Sequence, residues 1–213
     1  MPEYDMFDVN TIVMFFTASV LLALAPGPDI LYVMTQSMLK GRSAGIMVTL
    51  GLCTGLIVHT AAVAFGVAVL FQTSVVAFTV LKFAGAAYLL YLAWKSFSAS
   101  EGTLSIQKGP EMSSWYLYRR GVIMNITNPK VSIFFLAFLP QFSNPAQGSI
   151  PLQLMLLGGM FILSALTVFS SISYLAGLIG GWFLKSRRAE KILNIAAGSV
   201  FTVLAVKLAL TRQ

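Results

Sequence analysis

Two oppositely charged residues each stand directly after a proline in stretches that are otherwise apolar. Asp29 follows Pro28 in "LALAPGPDILY", and Lys130 follows Pro129 in "NITNPK". A proline lacks the backbone N–H donor and interrupts an α-helix. A helix that starts inside a membrane presents unpaired N–H groups and the positive end of its dipole. These residue types are suited to a small zwitterion, with a half-helix N-terminus facing a carboxylate and Asp29 facing an ammonium group.

Asp29 and Lys130 both carry a free-energy cost at these positions in apolar segments. A charged side chain at the centre of a membrane costs at least ~2.5–3.5 kcal/mol on insertion scales. Asp29 is read either as a cap at the start of a helix or as a binding or proton-carrying group. Lys130 is read either as a side chain that extends to the membrane surface or as the partner of an anion. We hypothesise that Asp29 and Lys130 face each other or share one cavity.

The remaining candidates flank these breaks or lie inside other apolar segments. Asn128 is placed to cap a helix starting at the next residue, and Asn125 is placed to bridge backbone groups that the proline leaves open. His59 is either a buried hydrogen-bonding residue or a proton carrier, and Lys82 either extends to the membrane surface or joins the site. The candidate substrate-binding and coupling residues are Pro26, Gly27, Pro28, Asp29, His59, Lys82, Asn125, Asn128, Pro129 and Lys130.

The composition excludes a soluble domain. The 213 residues are 57% hydrophobic and only 10% charged, whereas soluble domains have about 25% charged residues. The net charge of +7 does not indicate nucleic-acid binding, because the basic residues form short clusters between apolar runs. The single cysteine, Cys53, allows neither an internal disulfide nor a site with several thiolates.

Six apolar segments are long enough to span a membrane, which takes about 20 residues. The fold class is therefore an all-α polytopic membrane protein. The positively charged residues are distributed unequally between its two sides, and the side rich in Lys and Arg is normally cytoplasmic. The rule predicts that both termini lie outside. The segments are about 9–38, 44–71, 75–94, 119–140, 150–178 and 189–209. The basic residues of the cytoplasmic side are Lys40, Arg42, Lys95, Lys108, Arg119, Arg120, Lys185, Arg187, Arg188 and Lys191, against Arg212 on the other.

The six segments divide into two halves. Residues 1–95 form the first three-span repeat, 96–118 a polar cytoplasmic linker loop, and 119–213 the second three-span repeat. Three spans is an odd number, so the halves have opposite orientations, as in an inverted repeat. Each half starts with a proline-broken helix, and paired breaks at corresponding positions are typical of a transport site.

Two shorter patterns concern the second and third segments. Gly51, Gly55 and His59 recur every four residues and share one helix face, and the two glycines form a small-xxx-small packing pattern. A short polar stretch at 72–74 predicts a tight turn between these segments.

Several motifs in order resemble a known family. They are "APGPD" in the first segment, "LKFAGAAYLLYLAWKS" in the third, and "NPK" followed by "FFLAFLPQF" in the fourth, in a chain of about 200 residues. The chain resembles the LysE/RhtB-type amino-acid exporters of bacteria over essentially its whole length. The resemblance implies a multi-pass protein of the bacterial cytoplasmic (inner) membrane. It also implies export of amino acids or close derivatives, driven by the proton motive force without a cofactor.

The resemblance implies a transport core of Pro26 to Asp29 and Asn128 to Lys130. The expected partners are an amino-acid substrate, protons and the lipid bilayer, but no nucleic acid, and a homodimer is left open. Asp29 is the only acid at the membrane midplane, which favours neutral substrates such as threonine, homoserine or leucine over strongly basic ones.

The alternatives are an exporter of another small solute or cation, or a membrane subunit that does not transport. Asp29, Cys53 and His59 make a poor ligand set for a transition metal. The sequence shows no nucleophile paired with a general base, so it does not indicate an enzyme.

Overall fold

The computed structural model describes residues 6–67, 75–99, 112–185 and 187–210. Within these residues every regular element is a helix and no strand occurs, which confirms the all-α class. The helices are α1 (Val9–Leu24), α2 (Pro28–Lys40), α3 (Arg42–Ala62), α4 (Val75–Phe97), α5 (Ser114–Ile126), α6 (Pro129–Ile133), α7 (Ile150–Lys185) and α8 (Arg187–Leu210).

Some of these helices are long and apolar enough to span a membrane. In the described residues, Arg42–Gly66 and Ile150–Ala176 are each long and apolar enough to cross a bilayer. Two bent pairs pass the same test together: α1 with α2, bent by 58°, and α5 with the helical stretch Pro129–Phe142, bent by 48°. The helical segment Asn194–Leu210 is apolar but shorter. The described residues thus contain two to four spans, and the six-span count stays a prediction.

The boundaries differ from the sequence prediction mainly in the middle of the chain. The helix predicted to begin at about 119 starts at Ser114, inside the stretch assigned to the linker 96–118. It starts there because the Ser113 hydroxyl caps it, accepting a hydrogen bond from the backbone N–H of Tyr116 at 3.2 Å. The turn predicted at 72–74 lies outside the described residues.

Local chemistry also sets the ends of the first helices. Asp8 caps α1 by accepting a hydrogen bond from the backbone N–H of Thr11, and this bond holds the pKa of Asp8 below its ordinary value. One residue, Gly41, separates α2 from α3 and has φ of +85°. That left-handed conformation favours glycine, so the chain reverses within a single residue.

Helices α3 and α5 cross at closely packed glycines. A Cβ added to Gly51 would lie 2.1 Å from the backbone oxygen of Tyr118, and one added to Gly121 would lie 2.6 Å from that of Val48. A Cβ on Gly55 would lie 2.7 Å from the side chain of Asn125. The small-xxx-small prediction for α3 is confirmed, and α5 is the helix that it contacts.

An aromatic core adjoins the second bent pair. After α6 the chain forms a π-helical turn, Phe134–Phe138, and then a 3₁₀ turn, Leu139–Phe142. Phe134 is fully buried and its ring centroid lies 5.2 Å from that of Phe161 on α7 and 6.4 Å from that of Phe15 on α1. The rigid aromatic packing fixes the second broken helix against both α1 and α7.

Candidate functional site

Both proline motifs break a helix, as predicted. Residues 25–27 separate α1 from α2, and residues 127–128 separate α5 from α6. Pro28 and Pro129 each occupy the first position of the following helix, where the missing N–H is not needed. The predicted cap is confirmed: Asn128 Oδ1 accepts a hydrogen bond from the backbone N–H of Lys130 at 3.0 Å.

In the first break, a side chain from the other half replaces the donor that a proline lacks. Pro26 cannot donate to the carbonyl of Leu22, four residues earlier. Lys130 Nζ donates to this carbonyl at 3.3 Å and to the carbonyl of Ala25 at 3.1 Å. Gly27 leaves room for this, since a Cβ there would lie 3.1 Å from Lys130 Nζ. Lys130 therefore caps the C-terminus of α1.

The second break repeats this arrangement with a different side chain. Pro129 cannot donate to the carbonyl of Asn125, four residues earlier. His59 on α3 places Nε2 3.2 Å from that oxygen, and the backbone N–H of Asn128 donates to it at 3.0 Å. A carbonyl only accepts hydrogen bonds, so this contact requires that His59 Nε2 carries the hydrogen.

Asp29 lies at the start of α2 and is 3% exposed. Its Oδ2 accepts a hydrogen bond from Asn125 Nδ2 at 3.2 Å. Its carboxylate also lies near the side-chain amide of Asn128, without a hydrogen bond of good geometry, and interacts electrostatically with His59 and Lys130. The two broken helices are thus joined crosswise. Asp29, after the first break, contacts the end of α5, and Lys130, after the second, contacts the end of α1.

The two charges lie near each other without a direct ion pair. The described hydrogen bonds of Lys130 Nζ go to the backbone carbonyls of Leu22, in α1, and of Ala25, the residue that follows α1. The hydrogen bond that Asp29 accepts comes from Asn125. The interpretation of Lys130 as a side chain extending to the membrane surface is wrong, because its amine is held inside the protein. Asn125 also differs from expectation, since its side chain reaches Asp29 and does not bridge its own backbone.

Three buried polar atoms at the crossing have no hydrogen-bond partner among the described residues. Two are acceptors, Asp29 Oδ1 and Asn125 Oδ1, and one is a donor, Asn128 Nδ2. An unsatisfied polar atom is costly in a membrane interior, so such atoms indicate a place for a polar ligand. Acceptors suit an ammonium group and a donor suits a carboxylate.

Of the ten candidate residues, Lys82 is the one on α4. Its Nζ lies 4.7 Å from the ring centroid of Phe83 on the same helix, and the hydrogen bonds of Asp29 and Lys130 are made with other residues. Within the described part of the chain, no three His, Cys, Asp or Glu side chains come together as a metal site.

Tyr32 and Arg120, which are not among the ten candidate site residues, lie next to this cluster. The Tyr32 hydroxyl is buried with no partner among the described residues, and the guanidinium carbon of Arg120 lies 5.3 Å from the Tyr32 ring centroid. Helical spacing could have pointed to Tyr32, because it follows Asp29 by three positions and shares its face.

The family of the chain follows from comparison with known sequences. The family described as LysE type translocator matches residues 20–212, which includes both breaks and every candidate residue. The chain belongs to the LysE type translocator family. It is a transporter of the efflux type and a membrane protein, and neither an enzyme nor a non-transporting subunit.

Two relatives cover nearly the whole of this LysE type translocator. The "Homoserine/homoserine lactone efflux protein" of Salmonella typhimurium is 35% identical over 200 residues, which are 93% of this chain and 96% of that protein. The "Uncharacterized membrane protein YrhP" of Bacillus subtilis is 28% identical over 95% of this chain and 100% of that protein. No solved structure matches the chain.

Proposed function

We propose that this translocator exports homoserine, or a similar neutral amino acid or its lactone, from the cytoplasm in exchange for protons. One observation carries the proposal: two buried acceptors and one buried donor at the crossing make no hydrogen bond of good geometry with the described part of the chain. Asp29 Oδ1 and Asn125 Oδ1 accept from the ammonium group. Asn128 Nδ2 donates to the carboxylate, together with the third N–H of Lys130.

Homoserine is the proposed substrate because the Salmonella relative carries that name and because the site suits it. The site holds one acid, Asp29, and one base, Lys130, so its formal charge balances a zwitterion. A dibasic amino acid would bring a further cation to a site that already contains Lys130. Threonine and leucine are the neutral competitors against which selectivity is measured.

The energy source is the proton gradient. A zwitterion carries no net charge, so the membrane potential does not drive it directly. One proton moving inward contributes ~2.3 kcal/mol per 100 mV, which sustains a substrate gradient of roughly 40-fold at ~1.4 kcal/mol per tenfold change. Asp29 is the proposed proton carrier, because it is the acid at the crossing and exchanges an ammonium partner for a proton without leaving its place.

The proposed topology is six spans in two inverted three-span repeats, with both termini outside. The crosswise contacts of Asp29 and Lys130 support it, since each follows the proline of its own half and contacts the broken helix of the other. Corresponding helices also pack together, α3 with α7 and α4 with α8. Rocking of the halves about the crossing would open the site alternately to each side.

The experiment is efflux from loaded proteoliposomes with an imposed proton gradient. Homoserine, homoserine lactone, threonine, leucine and lysine are tested with the unmodified protein and with Asp29→Asn. Asp8→Asn is the matched control, because it makes the same substitution of aspartate by asparagine at the exposed start of α1. We expect proton-driven efflux of the neutral substrates, its loss in Asp29→Asn, and its retention in Asp8→Asn. Intact driven efflux in Asp29→Asn would show that Asp29 is not the coupling residue.

A further inference from the structure

A row of unpartnered polar atoms extends from the crossing along α2. Asp29 Oδ1, Tyr32 Oη and Gln36 Oε1 are all buried, with no hydrogen-bond partner among the described residues. Their spacing of three and four positions places them on one helix face, over a length of about 10 Å. Because lipid cannot satisfy such atoms, the row offers polar contacts along α2 from Gln36 to Asp29.

Arg120 on α5 lies beside this row. Its guanidinium carbon is 5.3 Å from the Tyr32 ring centroid, and Nη1 donates to the Tyr116 hydroxyl at 3.3 Å. Two tyrosines therefore hold the guanidinium, whose planar face stacks well on aromatic rings. The bond to Tyr116 uses one of its five N–H donors, which leaves the others available to a ligand.

The same guanidinium lines an open cavity. The cavity has a volume of about 610 Å³ along α5, and its lining includes Trp115, Tyr116, Arg119 and Arg120. This volume is enough for an amino acid, since ligand pockets usually measure about 300–1,000 Å³. Arg120 therefore both lines this cavity and lies beside the ring of Tyr32.

We propose that Arg120, held by Tyr32 and Tyr116, is an access site that binds the substrate carboxylate before the substrate reaches Asp29. A guanidinium fork binds a carboxylate through two parallel charge-assisted hydrogen bonds. After release from Arg120, the substrate passes the Tyr32 hydroxyl towards the acceptors at the crossing. The ligand class is a free α-carboxylate, and the inference rests on the proposed amino-acid export.

The test compares two cargoes that differ in this one group. Homoserine has a free carboxylate, whereas in homoserine lactone the carboxylate is closed into a ring ester without charge. Initial rates are measured for both in proteoliposomes of the unmodified protein, Arg120→Gln and Arg120→Lys. We expect Arg120→Gln to raise the KM for homoserine about tenfold, because the charge-assisted guanidinium–carboxylate pair is lost, while kcat is unchanged. The KM for the lactone stays within about twofold, which also shows that the variant is folded. Arg120→Lys restores part of the homoserine affinity as a single point charge.

Arg42→Gln is the matched control. Arg42 makes an equivalent contact, with its guanidinium carbon 5.5 Å from the ring centroid of Tyr174. Arg42→Gln therefore also removes one positive charge and one arginine–tyrosine contact, but away from Tyr32. We expect it to change neither KM. Equal rises for homoserine and the lactone in Arg120→Gln, no rise at all, or the same rise in Arg42→Gln would each overturn the access site. If the unmodified protein transports neither cargo, the proposed function fails and the access site fails with it.

Discussion

Lys130 and His59 each satisfy a backbone carbonyl that a proline has left without its helical donor. Lys130 stands in the first turn of α6, where a positive charge opposes the helix dipole. Its amine lies at the C-terminus of α1, where the dipole is negative. The unfavourable and favourable interactions come from different helices, so the contact with the end of α1 offsets the unfavourable interaction within α6.

Removing the Lys130 amine should lower the stability of the folded protein. Lys130→Met leaves the carbonyls of Leu22 and Ala25 without a donor, and a buried polar group left unpaired costs about 1–3 kcal/mol. We expect a lower unfolding temperature in detergent, measured by circular dichroism, with partial recovery in Lys130→Arg. Lys191→Met, at an exposed position on α8, is the control. Equal unfolding temperatures for the two Met variants would contradict the capping role.

At the scale of elements, the site depends on how closely α3 and α5 approach. Gly51, Gly55 and Gly121 remove the side chains that would separate the two helices. The close approach brings His59 to the carbonyl of Asn125 and turns Asn125 towards Asp29. Small residues allow such approach between helices in membranes, where van der Waals packing provides much of the attraction.

Widening this crossing by one methyl group should reduce stability and transport together. A Cβ at Gly51 would lie 2.1 Å from the Tyr118 carbonyl oxygen, whereas one at Gly159 on α7 meets nothing within 4 Å. We expect Gly51→Ala to cost about 1–3 kcal/mol, as overpacking does, and to slow homoserine efflux. Gly159→Ala should be neutral or slightly stabilising, because alanine favours helix more than glycine does. Thermal unfolding and efflux of the two variants check this, and a neutral Gly51→Ala would argue against the close crossing.

At the scale of the whole molecule, the two halves are joined by reciprocal contacts at their breaks. Each half supplies the charged residue after its own proline and receives the other's at the end of its first helix. A crossing of this kind couples the halves, since neither broken helix can move without changing the partners of the other. In the proposed alternating-access mechanism, this crossing would be the point about which the halves move.

The proposed topology places Ser113 and Asn144 on opposite sides of the membrane. Both residues are exposed, and the single native thiol is removed by Cys53→Ala. In that background we expect Ser113→Cys to react with a membrane-impermeant maleimide only from the cytoplasmic face. Asn144→Cys should react only from the outer face. Labelling in intact cells and in inverted vesicles measures this, and reaction of both from one face would contradict six spans with the termini outside.

The sequence by itself determined the all-helical class, both helix breaks, the cap at Asn128 and the family. These features follow from local chemistry: proline lacks an N–H, asparagine caps a helix start, and long apolar runs form helices in a membrane. The motifs on which the family resemblance rests are equally local, because each is a short run of consecutive residues.

Only the tertiary structure decided which groups meet. Lys130 contacts carbonyls that are 105 and 108 positions away, and His59 contacts one that is 66 positions away. The sequence predicts that Lys130 and Asp29 face each other or share one cavity; in the structure they lie near each other, and the Lys130 amine donates to the carbonyls of Leu22 and Ala25. Nothing in the sequence linked Arg120 with Tyr32, because their contact depends on how α2 lies against α5. Such partners follow from the packing of whole helices, which depends on every interface at once and is not contained in any short stretch of residues.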